Sequence, residues 1–162
     1  MITQERLKEL FYYHPESGDF IRIVRVANRI HLGDHAGSLQ NGYLVFRVDG
    51  KKYKAHRLSW LYTHGTFPPD QIDHINGIRH DNRMVNLRPA TNAENKRNCG
   101  APATNTSGHK GVCWHKSTGK WLAQIQVGTG APKYLGIFDD IEEAAATYQA
   151  AALKYHGEFA HA

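Results

Sequence analysis

An α+β fold is predicted, with a β-rich N-terminal region leading into a ββα finger, and a small C-terminal module of three antiparallel strands backed by one helix. Two stretches carry the prediction. Residues 72–98 read as short strand, polar loop, short strand and capped helix. Residues 110–155 hold three β-like runs, KGVCWH, KWLAQIQV and KYLGIF, then a helical run that opens on Asp140-x-x-Glu143. A chain of 162 residues, 41% apolar and 22% charged, has room for one ordinary domain or two small ones and the composition to fold them.

The elements follow in order. Thr3 is placed to cap a first helix in which Leu7, Leu10 and Phe11 fall at helical spacing, and Pro15 with Ser17-Gly18 ends it. Residues 19–26 (DFIRIVRV) and 43–48 (YLVFRV) are β-type, and Asp49-Gly50 joins the second to KKYKAHRL as a hairpin. AHRLSWLYTH, residues 55–64, reads as a helix burying Leu58, Trp60 and Leu61 and stopped by Gly65 and Pro68-Pro69. Residues 98–108 (NCGAPATNTSG) have the small, polar composition of a linker. The expected division is therefore a lead-in and finger over 1–97, a linker over 98–108, and the C-terminal module over 109–162.

Composition excludes several classes. No window approaches the roughly 18 to 20 consecutive apolar residues that a bilayer requires, and MITQERLKEL lacks the basic region and apolar run of a secretory signal. A soluble, cytoplasmic protein without a membrane partner is expected. Cys99 and Cys113 are too few for a disulfide framework or a four-cysteine zinc site, although a single bridge or a Cys/His ligand pair stays open. Of the net charge of +5, residues 74–120 carry eight basic side chains against two acidic ones. A positive zone of that kind fits a polyanion, nucleic acid first, and a solvated basic face second.

The finger, IDHINGIRHDNRMVNLRPATNAENKRN, concentrates amides and imidazoles that a packed core does not use. Thr91-x-x-Glu94 has the capping-box spacing that fixes a helix start, and with it the direction in which Asn95 projects. Asn95 is then expected to face Asp73. A carboxylate and an amide oxygen are hard ligands, suited to one Mg²⁺ or Mn²⁺, and two protein ligands leave most of an octahedral shell open to water and phosphate. Such an open shell suits phosphodiester hydrolysis, with His74 as the base that takes a proton from the attacking water. Asn86 suits a supporting role, bonding backbone groups across the loop. Arg88, Lys96 and Arg97 are either contacts to neighbouring phosphates or solvated charges. For His56 and His80 a structural or solvent role is favoured over ligation.

This stretch resembles the HNH nuclease motif with its ββα-metal finger, in the version found in phage- and intron-encoded homing endonucleases, upstream HRLSWLYTHG included. The resemblance spans about residues 43–98. It implies that Asp73 and Asn95 hold a divalent ion, that His74 is the general base, and that Asn86 is the middle residue orienting the loop.

Residues 107–159 resemble the AP2 domain, through the landmarks KGV, GKW, YLG-x-F and EEAA-x-x-Y. In such domains the sheet enters the major groove, which admits a β-ribbon. Alternation along KWLAQIQV puts Trp121, Ala123, Ile125 and Val127 on a core face, and Lys120, Gln124 and Gln126 on the other. Cys113 and His115 are expected outward on the first strand, and Tyr134 on the third. Lys110 and Lys133 are candidate phosphate contacts. Together these readings predict a DNA endonuclease, acting on double-stranded DNA as a monomer that nicks one strand, with a second chain, as in a dimer, or a second event as the route to a double-strand break. The alternative is a repressor or architectural factor whose finger is only a scaffold.

Overall fold

The structure, a computed structural model, describes residues 1–25 and 31–161. The chain forms two compact units, Met1–Asn92 and Ala93–Ala162, each α+β. In the first, α1 (Gln4–Leu10) begins at Thr3, whose hydroxyl accepts from the Arg6 amide at 3.2 Å. It ends one residue earlier than its apolar spacing predicts, because Phe11 opens a strand. That strand, β1 (Phe11–Tyr13), pairs antiparallel with β2 (Phe20–Arg22). The run expected as a strand over 19–26 is shorter, and residue 26 lies outside the described residues.

A three-stranded meander follows: β3 (Ser38–Gln40), β4 (Tyr43–Val48) and β5 (Lys51–Lys54). Both of its turns take two left-handed residues, Asn41 (φ 51°) with Gly42 (φ 81°) and Asp49 (φ 46°) with Gly50 (φ 78°). That geometry matches the twist of the flanking strands. The Asp49-Gly50 hairpin is the expected one. The Asn41-Gly42 hairpin was equally legible, but SLQ is too short to register as a strand.

Helix α2 (Ala55–His64) runs straight on from β5 and stops at Gly65, which is left-handed at φ 78°. It buries Leu58 and Leu61, while Trp60 stays half-buried and stacks on His64 with ring centroids 4.0 Å apart. The core beneath is aromatic. Phe11, Phe20 and Phe46 form a triangle with centroids 5.1 to 6.2 Å apart, and Tyr13 lies 4.8 Å from Phe20.

The last hairpin of this unit is β6 (Gln71–His74) with β7 (Leu87–Ala90), closed by a long loop that ends in a 3-10 turn at Met84–Asn86. The lead-in grips this loop. Tyr13 Oη donates to the Asn82 carbonyl at 2.6 Å, and the Met84 amide to the Pro15 carbonyl at 3.1 Å. Gly18 is left-handed at φ 81°, and a methyl there would stand 2.6 Å from the Arg83 nitrogen.

In the second unit, β8 (Val112–His115), β9 (Lys120–Ile125) and β10 (Lys133–Phe138) form an antiparallel sheet in the order β10-β9-β8. Helix α4 (Ile141–His156) lies across it, capped by Asp140, whose Oδ1 accepts from the Glu142 amide at 2.6 Å. Ala144, Ala145, Tyr148, Ala151 and Ala152 are buried against Val112, Ala123 and Ile125, the small side chains allowing close approach. Residues 98–108, expected as a linker, are irregular but hydrogen-bonded. Asn105 Oδ1 accepts from Ser107 and Gly108, and Ser107 Oγ donates to the Val112 carbonyl at 2.7 Å.

Gly18→Ala is expected to destabilise the chain by about 2 to 4 kcal/mol, combining a left-handed residue with a clash against backbone. Urea unfolding measures it. A cost like that of Gly33→Ala, where no atom lies within 4 Å of the added methyl, would show that the loop is not held at Gly18.

Candidate active site and nucleic-acid interface

β6 and β7 pair with Asp73 opposite Arg88 and His74 opposite Leu87. The cross-strand pair becomes an ion pair: Arg88 Nε and Nη2 donate to Asp73 Oδ2 at 2.9 and 2.7 Å. Asp73 is 3% exposed. A carboxylate so enclosed is costly without a cation beside it, so the strand register and the charge pair fix each other. Arg88, expected to meet a phosphate or solvent, is committed to this carboxylate.

Asn86 organises the loop from its far end. Its Oδ1 accepts from the Asn76 amide at 3.0 Å and its Nδ2 donates to the Asp81 carbonyl at 2.9 Å, while the Ile75 amide bonds its carbonyl at 2.9 Å. Asp81 extends the lattice. Arg83 forks onto both its oxygens at 2.8 and 2.6 Å, and Asn76 Nδ2 donates to it at 2.7 Å. Those donors hold the Asp81 carboxyl at about 2, with the Arg83 guanidinium as the main cause. Sequence reasoning did not single out Asn76, Asp81 or Arg83.

His74 is more enclosed than a base on an open loop, at 5% exposure. His56 meets it edge-on with centroids 5.0 Å apart, and Tyr43 lies at 6.1 Å. Burial lowers the pKa of His74, against the opposing influence of the Asn82 side chain and the charge of Asp73, so the neutral imidazole is favoured. His56, 6% exposed, is pushed down to about 3, first by burial and then by the charges of His74, Lys54 and Arg57. Thus Asp73, His74 and Asn86 are brought together by one hairpin. Asn95 lies on α3 (Asn92–Asn98), in the second unit, half-buried. Among the described residues, no three His, Cys, Asp or Glu side chains cluster to hold a metal.

On the C-terminal sheet, Ala123 and Ile125 face α4, as alternation predicts, and Gln124 pairs with the 61% exposed Tyr134 on the other face. Cys113 and His115 share that outer face, through their partners Leu122 and Lys120. The outer face is also partly apolar, since Leu122 and Ile137 pair there. Cys99 and Cys113 are both exposed and unbridged.

Four expected contacts are placed differently. Lys133 turns to the helix side and donates to Tyr155 Oη at 2.7 Å. It pairs with Ile125, which is the core register. Lys110 reaches the end of α3, donating to the carbonyls of Lys96 and Arg97 at 3.2 and 2.6 Å and to that of Cys99. The Gln126 amide closes the β9–β10 turn onto the Gly128 carbonyl and, at 2.7 Å, that of Gly130. Arg97 donates to the Val127 carbonyl at 3.2 Å, whereas Lys96 is exposed. On the outer face itself, Lys120 pairs with Asp139 at 2.9 Å, and His115 Nδ1 lies 2.9 Å from Thr118 Oγ1. The positions of these side chains depend on register and on carbonyls distant in sequence, neither of which a residue type reveals.

Residues 53–97 match the HNH endonuclease family and residues 107–158 the AP2 domain. The chain is also 34% identical, over 112 residues, to Protein 3.8 of Escherichia phage T7, an alignment covering 67% of this chain and 91% of that protein. The chain belongs to this phage-type family: an HNH endonuclease domain followed by an AP2 domain. The β6–β7 hairpin and its loop lie within the HNH domain, and the sheet with α4 is the AP2 domain. Among the described residues, no helix is long and apolar enough to cross a membrane.

Two outcomes test the HNH hairpin. Asn86→Ala leaves the Asn76 amide and the Asp81 carbonyl without their partner, and is expected to cost about 2 to 4 kcal/mol in urea unfolding, since each stranded, part-buried group costs about 1 to 2. A loss below 1 kcal/mol would mean that water replaces both bonds. For His56 the unfolded chain binds a proton near pH 6.5 and the folded chain only near 3. Its contribution is therefore complete above pH 6.5 and lost as the pH falls below it, about 2 kcal/mol by pH 5. His56→Leu is expected to flatten the fall in stability between pH 7 and 5 by that amount, and an unchanged slope would contradict the burial argument.

Proposed function

We propose that this protein is a metal-dependent, site-specific endonuclease of homing type that nicks double-stranded DNA, cutting with the HNH domain and selecting sites with the AP2 sheet. The observation that supports it best is the hairpin end, where a buried, neutral-leaning imidazole at 74 sits beside a carboxylate at 73 whose direction is set by Arg88.

The donor set fits a hard divalent ion. Asp73 and Asn95 offer carboxylate and amide oxygens, the chemistry that Mg²⁺ or Mn²⁺ accepts, and in the sequence one residue separates β7 from the helix bearing Asn95. Such an ion, when bound, supplies charge stabilisation at the phosphate and at the leaving 3′-oxygen. In this reading His74 receives the proton of the attacking water, which requires the neutral form that burial favours. Asn86 keeps the loop ends in place, so it positions the base without touching substrate. Because His74 is 5% exposed, DNA has to displace part of the cover over it, Tyr43 included.

A single HNH domain per chain offers one centre, so a monomer nicks one strand. A second chain or a second event would be needed to break both. The place of action in this reading is the host cytoplasm. A linker over 98–108 would let the two domains, 1–97 and 109–162, engage adjacent stretches of duplex.

A second reading, a DNA-binding protein with a scaffold finger, draws on the occupation of Asp73 by Arg88 and on the enclosure of His74. Supercoiled plasmid incubated with Mg²⁺, with Mn²⁺ and with EDTA separates them. The nuclease converts plasmid to open circles with a metal only, and intact plasmid in all three leaves the scaffold reading. His74→Ala is expected to slow nicking by about 10² to 10⁴-fold with duplex affinity nearly unchanged. Equal loss of both would remove His74 from the role of base.

A further inference from the structure

We propose that Lys54 and Arg79 form a site for one backbone phosphate of DNA, assembled on the ring of Tyr43 beside His74. The proposal rests on the reading of this protein as one that binds DNA.

The site is built by the meander. Tyr43 and Val45 lie on the face of β4 opposite the buried Phe46 and Val48, and Lys54 pairs with Val45. Its ammonium therefore falls diagonally over Tyr43, with Nζ 3.8 Å from the ring centroid. Arg79 arrives from the loop after β6 and places its guanidinium 5.4 Å from the same centroid. Two cations from segments 25 residues apart thus lie against one aromatic ring, whose π-system attracts both.

Their convergence carries a penalty. Among the described residues neither makes an ion pair, and the charges acting on Lys54 are those of Arg79 and Arg57, both repulsive. Burial and those neighbours lower its pKa. Other cations of this unit do find an acid: Arg83 meets Asp81, Arg88 meets Asp73 and Arg6 meets Asp49. Here the fold brings like charges together and provides no acid. An anion between them would relieve the repulsion, and a phosphate oxygen is the acceptor that both an ammonium and a guanidinium bind.

Location narrows the occupant to the nucleic acid. Tyr43 is 6.1 Å from His74 and 5.4 Å from His56, so an anion held on the platform sits one ring from the proposed base. Binding there would also draw the two cations outward from Tyr43, part of the cover over His74.

The test uses the full chain, a short random-sequence duplex and EDTA throughout, so that binding is read without cleavage. Duplex affinity is measured against KCl concentration by fluorescence anisotropy. The double variant Lys54→Gln/Arg79→Gln is expected to lower the slope of log affinity against log salt by about 1, one phosphate contact, with each single variant between it and the parent. Lys51→Gln removes the same charge from the same strand on its other face, opposite Val48, and is expected to leave the slope unchanged. A parental slope in the double variant, or an equal fall in Lys51→Gln, would overturn the site. All three side chains are exposed, so folding is preserved. A chain that shows the expected slopes yet never nicks plasmid would retire the endonuclease and keep the phosphate site.

Discussion

Asp73 and Arg88 face each other across β6 and β7, and the Arg88 Nε and Nη2 donate to one carboxylate oxygen. At 3% exposure the carboxylate has lost most of its hydration, and removing its partner would leave a buried charge costing several kcal/mol, about 3 to 5 in comparable pairs. A slip of the hairpin by one residue would separate the pair and turn His74 to the opposite face. The ion pair is therefore a register lock. Everything proposed for the hairpin, the imidazole at 74 and the loop that Asn86 closes, is placed relative to it.

The loop is rigid for a different reason. Past the Ile75–Asn86 bond the loop backbone has no ladder partner, so its polar groups need others. Asn76, Asp81, Arg83 and Asn86 satisfy one another, and the lead-in adds two bonds through Tyr13 and Pro15. The N-terminal β-rich region thus belongs to the same compact unit as the hairpin: its aromatic core carries the tyrosine and the tight turn that hold the loop.

Charge available for binding differs from charge written in the sequence. Of the eight basic residues between 74 and 120, Arg83, Arg88 and Lys120 are paired with acids, and Lys110 and Arg97 donate to carbonyls. The uncompensated cations beside His74 include Lys54, which lies outside that span. Net charge along a sequence counts side chains, whereas a polyanion responds to the cations that the fold leaves without an internal partner.

The sequence by itself determined the α+β class, the Thr3 and Asp140 caps, the Asp49-Gly50 hairpin, the Gly65 stop and the inward face of KWLAQIQV. All of these follow from local chemistry: a side-chain acceptor at a helix start, a left-handed pair in a turn, a period of two in a strand. The finger was legible as strand, loop, strand and helix for the same reason, and Asn86 could be read as a loop organiser because its amide has donors and acceptors to spare. Tertiary structure alone decided that Arg88 belongs to Asp73, that His74 is enclosed by His56 and Tyr43, that Lys133 faces α4, and that Lys54 meets Arg79 over one ring. Those pairings join residues 11 to 36 positions apart, or turn on strand register, and a residue's type states what it can bond without stating what the fold will bring to it.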